Sequence, residues 1–173
     1  MIKLQAHRSN PRSNSDICVT HKLRDKYLEV FFNVKTDIAP SISKDFSKEG
    51  FDNIGLWNFD VCEVFVRRGG SGAYIELEAS PLGQKLALKI TKPRIDVGPF
   101  EPKNTVISSS RTADGFKSHF KIAISDIPGR GNKIEGNYFC CLGNNDGRSY
   151  FAMNINNDTN ADYHRPELFM RIN

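Results

Sequence analysis

Tryptophan occurs once, at Trp57, among 173 residues, and long apolar runs do not occur at all. No segment approaches the roughly 20 apolar residues that a bilayer-spanning helix needs, which argues against a membrane partner. The opening MIKLQAHRSNPRSNS lacks the apolar core of a secretory leader. The chain is therefore expected to be soluble, cytoplasmic by default and exported if a leader has been removed. Metal-site spacing is also missing: of Cys18, Cys62, Cys140 and Cys141, the adjacent pair would project to opposite faces of a strand and cannot readily share one ion. All four read as reduced, buried thiols. Neither a GxSxG nucleophile elbow, nor a P-loop or dinucleotide fingerprint, nor CxxCH appears. The 24 basic and 20 acidic residues leave a net charge of +4, scattered and not gathered into a block, so a nucleic-acid partner is not expected. Helical periodicity sustained over three turns is absent too, as is any internal repeat. The length suits one domain spanning residues 1–173.

What the chain has is strand pattern. Tyr27–Val34 alternates Leu28, Val30, Phe32 and Val34 against Tyr27, Glu29, Phe31 and Asn33, and reads as a central strand. Gly115–Ser125 alternates Phe116, Phe120 and Ile122 with Lys117, His119 and Lys121. Shorter strands are expected over residues 2–8, 17–23, 84–90 and 105–111. Residues 36–53 read as a surface loop with one short helical turn, and 92–103, with three prolines, as a second long loop. Residues 135–142 and 148–155 form a hairpin around LGNNDG. About ten short strands with regular turns imply an all-β fold, an antiparallel β-sandwich.

The chemistry concentrates between Gly55 and Gln84, where GLWNFDVCEVFV and AYIELEASPLGQ flank the turn RRGGSG. Phe59, Val61, Glu63 and Phe65 share one face of the first strand, so Glu63 stands among apolar neighbours, where an ionised carboxylate is costly unless paired or awaiting a donor. Arg148 or Arg94 is a candidate partner. Trp57 stands six positions upstream, an apolar plate beside an acid. That combination suits a sugar, whose C–H face stacks on aromatics while its hydroxyls seek acceptors. Glu76 and Glu78 project together with Tyr74. If their face joins that of Glu63, three carboxylates line a cleft, and two of them could form a glycosidase pair.

Four blocks, LWNFDVCEVFV, YIELEASPLGQ, GNYFCCLGNNDGRSYFAMNI and DYHRPELF, resemble in order and spacing the DOMON-like proteins related to family 9 carbohydrate-binding modules, over about residues 50–170. The resemblance implies an immunoglobulin-like or jelly-roll sandwich that binds sugars, often at chain ends, without cleaving them. It makes Trp57 a stacking platform and Glu63 a hydroxyl acceptor. Such modules clamp the ring between two tryptophans. This chain has no second one, and Tyr163 or Tyr150 would take its place. The ligand-binding set is expected to comprise Trp57, Glu63, Glu76, Arg148, Tyr150, Tyr163 and His164, with no catalytic residue. His164 has a second reading, as a residue holding the C-terminal turn by hydrogen bonds. The ligand is a carbohydrate or another small polar molecule. No cofactor is expected. The resemblance leaves room for a structural calcium, although the oxygen-rich NNDTNAD lacks regular acidic spacing. Haem, held in related DOMON domains by methionine with histidine or lysine, would here fall to Met153 with His164. A glycoside-acting enzyme and an interaction domain without a ligand remain the competing classes, and oligomeric state is open.

Overall fold

The computed structural model describes residues 1–11, 14–144 and 147–173. Thirteen strands are described: β1 (Ile2–Lys3), β2 (Gln5–Ala6), β3 (Asp16–Leu23), β4 (Tyr27–Lys35), β5 (Val61–Arg68), β6 (Tyr74–Ala79), β7 (Lys85–Lys92), β8 (Asp96–Pro99), β9 (Val106–Thr112), β10 (Gly115–Ala123), β11 (Ile134–Leu142), β12 (Ser149–Ala152) and β13 (Met170–Ile172). They form two antiparallel sheets, one in the order β1-β3-β4-β10-β9 and the other β2-β12-β11-β5-β6-β7-β8, with β13 beside the start of β11. The protein is an all-β sandwich.

Alternation sets which residues meet between the sheets. Leu28, Val30, Phe32 and Val34 of β4 face Cys62, Val64 and Val66 of β5 and Ile75, Leu77 and Ala79 of β6 in one apolar layer. Phe120 and Tyr138 pack on Phe32 there, with ring centroids 5.6 and 6.2 Å away, and the Tyr138 hydroxyl meets His21 Nδ1 at 3.1 Å. As its sequence implies, β4 is the middle strand of its sheet. Gly115 opens β10 at φ 155°, where any side chain would meet the Val34 carbonyl oxygen at 2.0 Å, so only glycine lets the β9–β10 hairpin close against β4.

The larger sheet is buried on both faces. Val61–Val66 and Tyr74–Ala79 are sealed residue by residue, because a second apolar layer (Leu56, Val61, Phe65, Tyr74, Leu86, Leu88, Ile90, Phe139, Cys141 and Ala152) lies on the side away from the sandwich core. This explains the near-continuous apolar run of β5, which periodicity alone would assign to a strand buried on both sides.

Three expectations need correction. Residues 2–8 are not one strand: Leu4 turns inward as a buried plug, so β1 pairs with β3 in one sheet and β2 with β12 in the other. The 92–103 loop contains β8, an edge strand on β7 ending at Pro99, where a missing N–H is tolerated. The helical turn expected within 36–53 instead lies beyond it, at Leu56–Asn58. The Asn145-Asp146 portion of the turn read between residues 142 and 148, and Arg12-Ser13 of the turn between residues 9 and 16, lie outside the described residues.

Candidate functional site

The outer face of the larger sheet carries an open cleft of about 470 Å³, lined by Trp57, Asn58, Glu63, Phe65, Glu76, Leu88, Val97, Cys141, Arg148, Tyr150 and residues 161–164. Its floor follows from register. Glu63 pairs across strands with Glu78 and Phe65 with Glu76, while Phe139 of β11 lies opposite Glu63 on the other side. The two-residue period of each strand therefore puts Glu63, Phe65, Tyr74, Glu76, Glu78, Phe139 and Cys141 on one face.

One wall is the Trp57 turn. Gly55 adopts a left-handed conformation with φ 94° and starts a single 3₁₀ turn, Leu56–Asn58. Leu56 plunges into the outer apolar layer with no exposed surface, which leaves the Trp57 indole beside the cleft, 38% exposed. Phe46 braces the turn edge-to-face on Phe59 at 5.6 Å. The preceding loop is stapled to the β6–β7 hairpin by Gln84, whose amide donates to the Ser43 and Phe46 carbonyls at 2.7 and 3.2 Å. Asp60 accepts from the Gly143 and Ser41 N–H groups at 2.7 and 3.2 Å, and burial raises its pKa to about 6.

Arg148 hooks this wall to the β11–β12 turn. Its guanidinium donates to the carbonyls of Gly143 at 3.0 Å, of Phe59 at 3.3 Å, and of Trp57. Removing the hook in Arg148→Met is expected to cost about 1 kcal/mol of stability and to loosen the turn. Because the chain has one tryptophan, acrylamide quenching of its fluorescence reads that loosening directly; unchanged quenching would contradict the role given to Arg148.

The opposite wall comes from the C-terminal segment. Tyr163 stacks on Phe139 with centroids 4.0 Å apart and meets Tyr150 edge-on at 6.1 Å. Its hydroxyl donates to the Cys140 and Phe151 carbonyls at 3.4 and 3.3 Å. His164 Nδ1 lies 2.7 Å from the Tyr74 hydroxyl, and Nε2 lies 3.9 Å from Glu76 Oε2. His164 thus both lines the cleft and ties down the C-terminal turn. Burial lowers its pKa, opposed by Asp162, so the ring is neutral at pH 7.

Electrostatically the floor is short of donors. The Cys141 thiol donates to Glu63 Oε1 at 3.4 Å. Neither Glu76 Oε2 nor either oxygen of Glu78 meets a donor. Burial, then the neighbouring Glu76, raises the Glu63 pKa to about 8, and burial raises that of Glu76 to about 7. Glu78 is pushed well above the usual carboxylate range by burial and by the other two acids. All three are protonated for a good part of the neutral range when the cleft is empty.

All seven residues singled out as ligand-binding border the cleft. Two expectations about them change. The carboxyl of Glu63 is not ion-paired with Arg148 or Arg94: Arg148 is spent on carbonyls, and Arg94 pairs with Asp162. Glu78 shares the face but is fully buried beneath the outer layer and does not reach the opening. Met153 packs against the inter-sheet core, whereas His164 lines the cleft on the outer face. In NNDTNAD, Asp158 pairs with Arg165 at 2.7 Å and Asp162 with Arg94; arginines take the charges a cation would need. Sequence reasoning missed Cys141, Phe65 and Leu88 as lining. Strand parity with Glu63 and Tyr74 could have found the first two, with Phe139↔Glu63 setting the register.

No protein-family model and no curated protein matches this chain. Solved structures do. A candidate carbohydrate-binding protein from Bacteroides uniformis superposes with a TM-score of 0.75 at 14% identity, covering 97% of this chain and 84% of that one. A family 9 carbohydrate-binding module from Caldicellulosiruptor kristjanssonii, in complex with glucose, gives 0.62 at 14% identity over 97% and 82%; with cellotriose it gives 0.63 at 14% over 98% and 80%. At this identity the likeness establishes the sandwich fold.

Proposed function

We propose that residues 1–173 form one non-catalytic domain that binds a carbohydrate in the cleft, without a cofactor. Kinship with family 9 modules and, more widely, with DOMON-like proteins belongs to the same proposal. One observation carries it: a partly exposed Trp57 shares one opening with buried Glu63, held only by the Cys141 thiol, and buried Glu76, which keeps an oxygen that meets no donor. A sugar supplies what that opening lacks, an apolar C–H face for Trp57, Tyr150 and Tyr163 and hydroxyl donors for Glu63 and Glu76. The likeness in fold to a module that holds glucose and cellotriose supports this reading.

Hydrolysis fits less well. Glu78 does not border the cavity, which leaves Glu63 and Glu76 as the one pair of the three acids that a substrate in the cleft could meet. Calorimetric titration of the purified chain with glucose, cellotriose and a panel of other glycans tests the proposal. Saturable heat with at least one glycan, and no shortened product on chromatography afterwards, is the expected result. A panel without any binding would refute it, and shortened product would make the domain an enzyme.

A further inference from the structure

We propose that the sugar selected by this cleft carries a free amino group, a hexosamine residue whose ammonium rests against Glu76 and Glu63. This builds on the carbohydrate reading and names the class of sugar. It begins from a count of donors and acceptors. The cations nearest the opening are committed elsewhere: Arg148 to three backbone carbonyls, Arg94 and Arg165 to Asp162. The hydroxyls of Tyr163 and Tyr74 are engaged with carbonyls and with His164. Across from the acids on β7 stand Leu86 and Leu88. Glu63 has only the Cys141 thiol as a donor, and Glu76 and Glu78 keep oxygens that meet none. Glu76, 3% exposed, borders the cavity with an oxygen that meets no donor.

An occupant must therefore bring donors and, when these carboxyls ionise, positive charge. A hydroxyl brings one donor together with lone pairs that themselves need donors. An ammonium brings three donors and no acceptor, and its charge-assisted bonds to carboxylate are about twice as strong as neutral ones. The aromatic walls, Trp57, Tyr150 and Tyr163, tolerate a cation as well as a sugar ring. N-acetylation would remove both the charge and the donors.

The cleft's other groups set the pH dependence. Burial holds Glu76 and Glu63 protonated up to about 7 and about 8, so an arriving ammonium releases a proton from the floor. His164, lowered by burial, is neutral above pH 6.5 and adds repulsion below it. Tyr74, Tyr163 and Cys141 are raised by burial and stay protonated; Arg148 stays charged, and Asp162 stays paired with Arg94 and Arg165. Preference for the amino sugar therefore grows from pH 5.5 to 7 and levels off above it, where the sugar's own amine, like an α-amino group, begins to lose its proton.

The test is calorimetry of the whole chain with glucosamine, glucose and N-acetylglucosamine at both pH values, in two buffers of different protonation heat. At pH 7 glucosamine is expected to bind at least about tenfold tighter than glucose, with proton release seen as a buffer-dependent heat. N-acetylglucosamine should have no advantage, and the two amine-dependent effects should shrink at pH 5.5. In Glu76→Gln the glucosamine-to-glucose ratio should fall towards one; the wild-type pH comparison stands on its own if that variant fails to fold. Glucose and glucosamine binding equally at pH 7 overturns the inference while the carbohydrate reading survives. Ethanolamine binding as tightly as glucosamine also overturns it, and no binding by any sugar overturns both.

Discussion

Trp57→Ala is expected to weaken binding of the preferred sugar by about 30- to 100-fold while leaving the thermal midpoint almost unmoved. The magnitude follows from contact area. A pyranose face laid on the indole removes on the order of 100 Å² of apolar surface from water, worth about 2–3 kcal/mol. The small effect on folding follows from where the side chain stands: Leu56, not Trp57, is the plug of the 3₁₀ turn, and the indole is 38% exposed. Arg148 holds the Trp57 carbonyl, not its ring, so truncation leaves the turn fastened. Trp57→Phe should recover part of the affinity, because a smaller plate covers less of the sugar. Side-by-side titration and thermal melts of the three proteins check this. Unaltered affinity in the alanine variant would remove the platform from the proposal, and a collapsed midpoint would show that the indole is structural.

Much of this site was legible because a strand has a period of two. Once Phe59–Val66 is a strand, Glu63 and Phe65 must share a face; once Tyr74–Ala79 is its partner, Glu76 and Glu78 follow Tyr74 to one side. Whether those two faces coincide depends on register, and the paired cores Cys62–Val64–Val66 and Ile75–Leu77–Ala79 fix it. Tyr163 and His164 were legible only through their place in DYHRPELF, since no local pattern tells a loop where to fold back. Three matters needed coordinates. Arg148 contacts the Trp57 carbonyl across 91 positions, and because a carboxylate is the stronger partner for arginine, sequence favoured the wrong one. Glu78 has no exposed surface beneath an outer apolar layer built on the strands and joined by Leu56 of the 3₁₀ turn, an addition from a loop whose path composition does not specify. Residues 2–8 divide between two sheets because buried Leu4 redirects the chain, which alternation alone cannot signal.

Glu78→Met is expected to stabilise the protein by about 1–3 kcal/mol at pH 7.5, since an apolar chain of similar length removes a buried carboxyl whose oxygens meet no donor. The sign depends on pH. Glu63, Glu76 and Glu78 have raised values in the folded protein, so their contribution is fully present below the ordinary value near 4.5 and is lost as pH rises. In that interval the unfolded chain has released protons that the folded one retains, and stability falls by about 1.4 kcal/mol per pH unit for each such proton. Asp60, raised to about 6, adds to the slope only at its lower end. His21 and His164, lowered by burial, act the opposite way below pH 6.5. The clean window is therefore pH 6.5 to 8, where the wild-type urea midpoint should decline and that of Glu78→Met should start higher and decline less steeply. A variant less stable than wild type at pH 7.5 would mean that Glu78 has a stabilising partner in the fold. A wild-type midpoint that stays flat across the window would mean that the three acids are ionised in the folded protein, and then the empty cleft already carries the negative charge that an ammonium-bearing sugar would otherwise have to induce.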